Sequence, residues 1–147
     1  MIYLSLGTNL GNKEENLRNA VDEINKRVGN VVSLSAFYET EPWGFDSDNT
    51  FLNAALAVDT KLSPFELLAV TKKIEKQLGR TAKSINKSYA DRIIDIDILL
   101  YNDLILNTNE LVLPHPLMTQ RSFVMEPLVE IAPDVIHPVL LKTMKEL

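Results

Sequence analysis

Hydrophobic residues at the start of the chain follow first a strand pattern and then a helical one. The run IYLSL at residues 2–6 predicts a short strand, which ends at Gly7 in the turn GTNLGN. Asn12 and Glu15 match the capping-box pattern that opens a helix. The helix that follows them has one apolar stripe, and Gly29 ends it. That stripe consists of Leu17, Ala20, Val21, Ile24 and Val28.

The middle of the chain predicts two strands, a loop and a helix. Polar and apolar residues alternate over 31–40, as in a half-buried strand, and 51–60 has the pattern of a mostly buried one. Between them, 41–50 contains Pro, Gly, Asp and Asn and predicts a loop. A Ser-Pro pair followed by Glu66 opens a second helix, which ends at Gly79. Its apolar stripe is Leu67, Leu68, Ile74 and Leu78.

After this helix a second long loop, 79–91, precedes a strand at 92–101. An Asn-Asp turn then predicts that residues 104–107 pair with that strand as a hairpin. The segment LVLPHPLM is expected to be extended, because prolines disfavour helix and central strand alike.

The C-terminal part predicts one more helix, over 120–131, which is broken at Pro127 or Pro133. The order of elements is therefore βαββαβ with a C-terminal extension. That order is typical of an α+β, ferredoxin-like sandwich. We expect a single domain over 1–147.

The composition is that of an ordinary globular domain. The 147 residues are 46% apolar and 24% charged, which excludes disordered and fibrous classes. No apolar run reaches the roughly 18 residues of a membrane-spanning helix, and the N-terminus shows no secretory leader. Without cysteine, the chain has no disulfide, no thiolate metal site and no thiol nucleophile. We therefore expect a cytoplasmic protein without a membrane partner.

Charge is unevenly distributed along the chain. The net charge of −5 argues against a general nucleic-acid binder. Residues 72–92, however, contain seven basic and two acidic side chains, so the rest of the chain is strongly acidic. A basic island in an acidic chain indicates a site for one anionic ligand. Lys72, Lys73 and Lys76 fit a solvated helix face better.

Asp95 and Asp97 lie two residues apart in the predicted strand at 92–101. Alternate side chains of a strand share one face and lie roughly 6.5–7 Å apart. Two such carboxylates repel each other unless a cation lies between them, and Mg²⁺ commonly takes one or two carboxylates together with phosphate oxygens. An incidental acidic pair on a solvated face is the alternative. The core-side face would carry Ile94, Ile96, Ile98 and Leu100.

Several basic residues precede this acidic pair. Arg92 opens the same predicted strand, and the loop before it carries Arg80, Lys83 and Lys87. Metal-bound carboxylates beside several cations are typical of a triphosphate site. For Arg92 alone, a surface ion pair is the alternative.

His115 lies between two prolines, whose fixed φ angles orient the imidazole, and its segment leads to Arg121. These features favour a functional role, although most lone histidines are structural. His137, with no candidate catalytic residue near it in the sequence, is interpreted as structural.

The few aromatic residues include candidates for a slot around a flat heterocycle. Trp43, Phe51 and Phe123 could form such a slot by stacking. Core packing is the alternative for Phe51 and Phe123. Asn53 shares a strand face with Phe51, and its amide could read the donor and acceptor edge of a ring. The GTNLGN turn lacks the Gly-Lys-Ser/Thr ending of a P-loop and is interpreted as a structural turn, with a position lining the site as the alternative.

Segments in a specific order and spacing extend over most of the chain. They are SLGTNLG, FYETEPWG, FLNAAL, IEKQLGR, DRIIDIDILLYN, LVLPHP and RSFVMEPLVEIAP. With these segments the sequence resembles the 6-hydroxymethyl-7,8-dihydropterin pyrophosphokinase family, ATP-dependent enzymes of folate biosynthesis.

The resemblance implies diphosphate transfer from ATP to 6-hydroxymethyl-7,8-dihydropterin by a monomer, with loops 41–50 and 79–91 closing over the substrates. It assigns two Mg²⁺ ions, which bridge the ATP phosphates, to Asp95 and Asp97. Together with these two acids, Arg80 and Arg92 are expected to act in catalysis. ATP contacts are implied for Glu75, Arg80, Lys83, Arg92, Ile98, His115 and Arg121. Pterin contacts are implied for Gly7, Thr40, Pro42, Trp43, Phe51, Asn53 and Phe123.

The chain departs from the family pattern near the nucleotide. Residues 89–92 are Tyr-Ala-Asp-Arg where members often have Trp-Gly-Pro-Arg, and Lys83 stands where many have Arg. Glu110 replaces a basic residue that some members carry. These differences concern loop contacts and not the type of reaction.

Two other functions fit the predicted fold. A non-catalytic module could bind RNA or a small effector, but RNA-binding sheets of this kind expose aromatic residues where this chain has two aspartates. A cyclase-like nucleotide transferase could use the same acidic pair with two metals. AMP formation that requires the pterin would distinguish the pyrophosphokinase from both.

Overall fold

An antiparallel five-stranded sheet forms the centre of the fold. The computed structural model describes residues 1–40, 50–79 and 93–147. In chain order the elements are β1 (Ile2–Thr8), α1 (Lys13–Arg27), β2 (Gly29–Leu34), β3 (Tyr38–Thr40), β4 (Phe51–Thr60), α2 (Pro64–Gly79), β5 (Asp95–Tyr101), β6 (Leu106–Asn107), β7 (Val112–Leu113) and α3 (Ser122–Ile131), with 3-10 turns at Met118–Gln120 and Met144–Glu146. The sheet order is β2-β4-β1-β5, β3 also pairs with β4, and β6 pairs with β7 alone.

Both predicted helix starts are confirmed. The Asn12 side chain accepts a hydrogen bond from the backbone N–H of Glu15 at 3.1 Å. At the start of α2, Ser63 Oγ accepts from the N–H of Glu66 at 3.3 Å, and the Glu66 carboxylate accepts from the N–H of Ser63 at 2.8 Å. These reciprocal bonds satisfy backbone donors that the first helical turn leaves without a partner.

The helices cover the two faces of the sheet separately. The first cluster lies between the sheet and the pair α1 and α2, and the second lies between the sheet and α3. The α+β class is thus confirmed, and the C-terminal extension closes the second face. The first cluster includes Leu4, Leu6, Leu17, Ile24, Leu56, Leu67, Ile74, Ile96 and Ile98. The second includes Tyr3, Ala55, Ala57, Leu99, Leu100, Met118, Val124, Met125 and Leu128.

The prediction of one strand over 31–40 was wrong. The segment forms β2 and β3, which pair with different parts of β4. Between them Ser35 is buried, and its N–H donates to the carbonyl of Ala55 at 2.9 Å. The Ser35 hydroxyl in turn accepts from the N–H of Ala55 at 2.9 Å, so a side chain replaces a backbone acceptor at the break.

The predicted hairpin partner of the last long strand was also wrong. Residues 104–107 do not pair with β5; instead Leu106 pairs with Leu113 in the small β6–β7 hairpin. This arrangement buries Leu111 and Leu113 in the first cluster. The pairing therefore follows from burial of later residues, which the local turn signal does not contain.

The alternation predicted for β5 stops before its end. The register between β1 and β5 shifts between Tyr3 and Leu4. Leu99 and Leu100 consequently both pack in the second cluster, and the placement of Leu100 with Ile98 was wrong. A register shift of this kind turns every later side chain to the other face.

The last helix, α3, runs through Pro127 and ends at Ile131, two residues before Pro133. Of the two predicted breaks, only the one at Pro133 agrees with this end. Within the three described stretches, no helix combines the length and the apolarity needed to cross a membrane.

Candidate active site

A row of four residues crosses the sheet on the face that α3 partly covers. Gly7 of β1 pairs with Asp95 of β5 on one side and with Asn53 of β4 on the other. Asn53 pairs in turn with Tyr38 of β3. Directly opposed residues of antiparallel strands project to the same face. We call this set, Tyr38–Asn53–Gly7–Asp95, the cross-strand row.

The two aspartates project from the same face of β5, as predicted. Both are half-buried, and Asp97 lies opposite the buried Ser5 of β1. The intervening Ile96 is buried in the first cluster on the other face. The side chain of Ile98 lies there too and is 4% exposed, so a ligand beside the aspartates can reach only its main chain.

Glu75 on α2 is close to this acidic pair. Its carboxylate accepts a hydrogen bond from the N–H of Ile96 at 2.7 Å and lies 3.4 Å from the ammonium of Lys72. The pKa of Glu75 is raised to about 7, chiefly by burial and to a lesser extent by the neighbouring Asp95, while the Ile96 N–H and Lys72 act in the opposite direction. This end of the row therefore favours a positive charge.

His115 and Arg121 add nitrogen donors at the Asp95 end of the cross-strand row. The N–H of His115 donates to the carbonyl of Leu99 at 2.9 Å, which fixes the segment against β5. Burial lowers the pKa of His115, Arg121 lowers it further, and Asp95 raises it. Because His115 Nδ1 accepts from the N–H of Leu117 at 3.2 Å, the neutral ring carries its proton on Nε2 and can donate it.

The opposite end of the row is neutral and partly aromatic. Asn53 is 3% exposed, and its side-chain nitrogen donates to the hydroxyl of Thr40 at 2.8 Å. A Cβ added at Gly7 would lie 3.0 Å from Asn53 Oδ1 and 3.8 Å from the ring of Phe51. The absent side chain of Gly7 thus leaves room between the amide and the ring. Phe123, in the first turn of α3, is half-buried beside the second cluster, and Arg121 lies 5.7 Å from its ring centroid.

Comparison with known proteins decides the family. A model of the 7,8-dihydro-6-hydroxymethylpterin-pyrophosphokinase family matches residues 3–133. The chain belongs to this family. It is therefore an ATP-dependent pyrophosphokinase that acts on hydroxymethyldihydropterin in folate synthesis.

Two relatives illustrate the match. The 2-amino-4-hydroxy-6-hydroxymethyldihydropteridine pyrophosphokinase of Porphyromonas gingivalis is 50% identical over 139 residues, which cover 94% of each chain. The protein of the same name from Aquifex aeolicus is 40% identical over 145 residues, covering 99% of this chain and 88% of that one.

The fold also matches a solved structure of a longer protein. The crystal structure of Plasmodium falciparum HPPK-DHPS aligns with a TM-score of 0.76 at 21% identity, over 98% of this chain. The chain spans 42% of that longer protein.

Several residues expected in the site of this pyrophosphokinase lie outside the described residues. They are Pro42, Trp43, Arg80, Lys83 and Arg92, together with most of the two predicted loops. In the part of the chain that the structure describes, no three or more His, Asp or Glu side chains form a metal site by themselves.

The sequence analysis did not predict the contact between Glu130 and Tyr38, which lies near the site. Glu130 of α3 accepts hydrogen bonds from the N–H of Ala36 at 3.1 Å and from the hydroxyl of Tyr38 at 2.5 Å. The bond to Glu130 raises the pKa of Tyr38. These contacts tie α3 to the segment that leads into β3. No sequence pattern connects residues more than 90 positions apart, so only the folded chain reveals the pair.

Proposed function

We propose that this pyrophosphokinase binds its two substrates at the two ends of the cross-strand row. The triphosphate of ATP lies at the end of Asp95, Asp97, His115 and Arg121, and the pterin lies at the end of Gly7 and Asn53. The observation that carries this proposal is the pairing of Gly7 with Asp95 on one side and Asn53 on the other. One glycine separates the charged end from the neutral end.

The chemistry of the acidic end fits Mg²⁺. Asp95 and Asp97 offer oxygen ligands from one face of one strand, and Mg²⁺ commonly completes its coordination with phosphate oxygens. Glu75 lies close enough to Asp95 for that aspartate to raise its pKa, although burial is the main cause of the shift, so a third carboxyl group adjoins the pair. We assign Asp95 and Asp97 as ligands of two Mg²⁺ ions that enter with ATP. When bound, the ions neutralise phosphate charge and stabilise the attacking and leaving oxygens.

The transfer forms one bond and breaks one. The hydroxymethyl oxygen of the pterin bonds to the β-phosphorus, the bond from that phosphorus to the oxygen bridging the α- and β-phosphates breaks, and AMP leaves with the electron pair. The hydroxyl proton passes to solvent, since no described residue stands out as a general base. Such transfers depend mainly on positioning and on neutralisation of charge.

Each described residue has a defined task in this scheme. Arg121 neutralises charge that moves onto the leaving AMP, and the Nε2–H group of His115 donates a hydrogen bond to a phosphate oxygen. Phe51 and Phe123 stack on the pterin ring, and the Asn53 amide forms hydrogen bonds with the polar edge of that ring. We further assign Glu75 and the main chain of Ile98 to the nucleotide side.

Five residues outside the described stretches complete the proposal. Arg80, Lys83 and Arg92 supply further positive charge to the triphosphate. Pro42 and Trp43, with the main chain at Thr40, border the pterin. Closure of loops 41–50 and 79–91 excludes water, which would otherwise compete with the pterin as acceptor.

We also propose a cytoplasmic monomer in which residues 1–147 form one ferredoxin-like domain with a C-terminal extension. Packing of both hydrophobic clusters against one sheet supports the single domain. Size-exclusion chromatography with light scattering tests the monomer, which a mass of twice 16.6 kDa would contradict.

The decisive test follows phosphorus products in the presence of Mg²⁺. Phosphorus NMR should show AMP and a pterin diphosphate only when ATP and hydroxymethyldihydropterin are both present. Pyrophosphate released from ATP without pterin would indicate a cyclase-like transferase instead. Binding of RNA with no nucleotide turnover would indicate a non-catalytic module.

A further inference from the structure

The amide of Asn53 is oriented by a neighbour on the adjacent strand. Tyr38 pairs with Asn53 and Thr40 pairs with Phe51, so Thr40 and Asn53 are diagonal neighbours on one face of the β3–β4 ladder. Asn53 Nδ2 donates to Thr40 Oγ1 at 2.8 Å. Because Asn53 is 3% exposed, bulk water offers this nitrogen little alternative.

An asparagine amide presents a donor at one end and an acceptor at the other, and the two exchange when the group rotates by half a turn. In the structure the nitrogen lies on the β3 side, where the Thr40 hydroxyl accepts from it. The oxygen, Oδ1, is then the end that faces Gly7, where an added Cβ would lie 3.0 Å from it. Glycine at this position leaves the space beside Oδ1 free of a side chain from β1.

We propose that the Thr40 hydroxyl is a positioning group for pterin recognition, which holds the Asn53 amide with Oδ1 turned toward the substrate. This inference rests on the proposed function, which places the pterin beside Asn53. The 2-amino-4-oxo edge of a pterin carries N–H donors, and Oδ1 is their acceptor. A rotated amide would present its own N–H groups to those donors and lose the bond.

Thr40→Val removes the hydroxyl and keeps the β-branched shape that suits a strand. Without its acceptor, the amide samples both orientations, so the Kd for the pterin rises by roughly tenfold. The Kd for ATP stays unchanged, and KM for the pterin rises more than kcat falls. Thr40→Ser keeps the hydroxyl and should restore wild-type pterin affinity.

A double-mutant cycle separates positioning from direct contact. Pterin affinity is measured by fluorescence titration, with a non-hydrolysable ATP analogue and Mg²⁺, for wild type, T40V, N53A and T40V/N53A. If Thr40 acts through Asn53, T40V weakens binding in the wild-type background and has little effect in the N53A background. An equal effect in both backgrounds would overturn the proposal, as would wild-type affinity in T40V or failure of T40S to restore binding.

A second readout does not depend on affinity. In ¹⁵N-edited NMR spectra of the protein without substrates, the side-chain NH₂ resonances of Asn53 should shift or broaden in T40V and stay near wild type in T40S. Unchanged resonances in T40V would also count against the proposal. Absence of pterin binding by the wild-type protein would overturn the proposed function and this inference with it. Wild-type binding that T40V leaves intact would overturn the inference alone.

Discussion

Asn53 and Asp95 are both paired to Gly7, one on each side of β1. With about 4.8 Å between neighbouring strands, their Cα atoms lie about 10 Å apart. A buried amide and a half-buried carboxylate thus lie on the same face of the sheet with only a hydrogen atom of Gly7 between them. This separation suits a reaction that joins a neutral ring to a charged phosphate chain.

Asp97→Ala should lower the rate of AMP formation by at least about a hundredfold, because the proposed function assigns this carboxylate to a Mg²⁺ ion on the triphosphate. Asp97 is half-buried, so the fold should remain, as judged by circular dichroism and Tm. The exposed Asp103 provides a matched control, and Asp103→Asn should retain normal turnover. Near-normal activity of Asp97→Ala would exclude a metal role.

Phe123→Ala should weaken pterin binding by roughly tenfold or more, since loss of a stacking ring removes about 1–3 kcal/mol. Nucleotide affinity should change less, although Arg121 lies over the same ring. Titration of each ligand separately gives the comparison, with Phe65→Ala on the exposed side of α2 as the control. Equal losses for both ligands would indicate that Phe123 serves the core.

Gly7→Ala should raise KM for the pterin several-fold, because the added methyl would lie 3.0 Å from Asn53 Oδ1 and cover the acceptor. The backbone itself tolerates alanine in a strand. Steady-state kinetics with each substrate varied in turn would locate the effect. If KM rises for ATP alone, Gly7 does not border the pterin.

Glu130→Ala should destabilise the protein by about 0.5–1.5 kcal/mol, since the N–H of Ala36 and the hydroxyl of Tyr38 exchange their acceptor for water at an exposed position. For a chain of this length, that loss corresponds to a fall in Tm of roughly 2–5 °C. Glu126→Ala, one turn earlier on the exposed side of α3, should leave Tm nearly unchanged. Equal Tm values for the two variants would mean that the contacts of Glu130 contribute nothing.

His137 should make the protein less stable in mild acid. Burial lowers its pKa below 6.5, and Nδ1 accepts from the N–H groups of Val139 and Leu140. Its contribution to stability is therefore complete above pH 6.5 and is lost as the pH falls through the lowered pKa of the folded state.

The comparison of Tm at pH 7.5 and pH 5 tests this prediction. His137→Asn keeps an acceptor without a titrating ring, so it should show a smaller fall in Tm than wild type. The chain has one other histidine, and His115→Asn measures its share. A fall in Tm that His137→Asn leaves unchanged would show that His137 does not titrate on unfolding.

Features encoded within a few residues were predicted from the sequence. The cap at Asn12, the reciprocal cap of Ser63 and Glu66, and the shared face of Asp95 and Asp97 each depend on spacings of two or three positions. Local geometry alone determines them. The common face of the acidic pair could therefore be predicted before any contact was known, whereas its role as a metal ligand stays a prediction.

Features that depend on distant partners were not predicted. Leu100 lies on the other face of the sheet because the register of β5 shifts against β1. Leu106 pairs with Leu113, which is buried in the first cluster. The contact of Glu130 with Tyr38 joins two ends of the chain that share no local pattern. Such pairings depend on tertiary packing, because contacts between distant segments override local sequence preference.

Arg121 and Phe123 both lie at the start of α3, one residue before and one after Ser122. A tilt of α3 would displace the guanidinium and the ring together. In the proposed scheme, an inhibitor that stacks only on Phe123 would therefore meet a constrained target. Substitutions that move this helix away from the inhibitor would also move Arg121 away from the nucleotide.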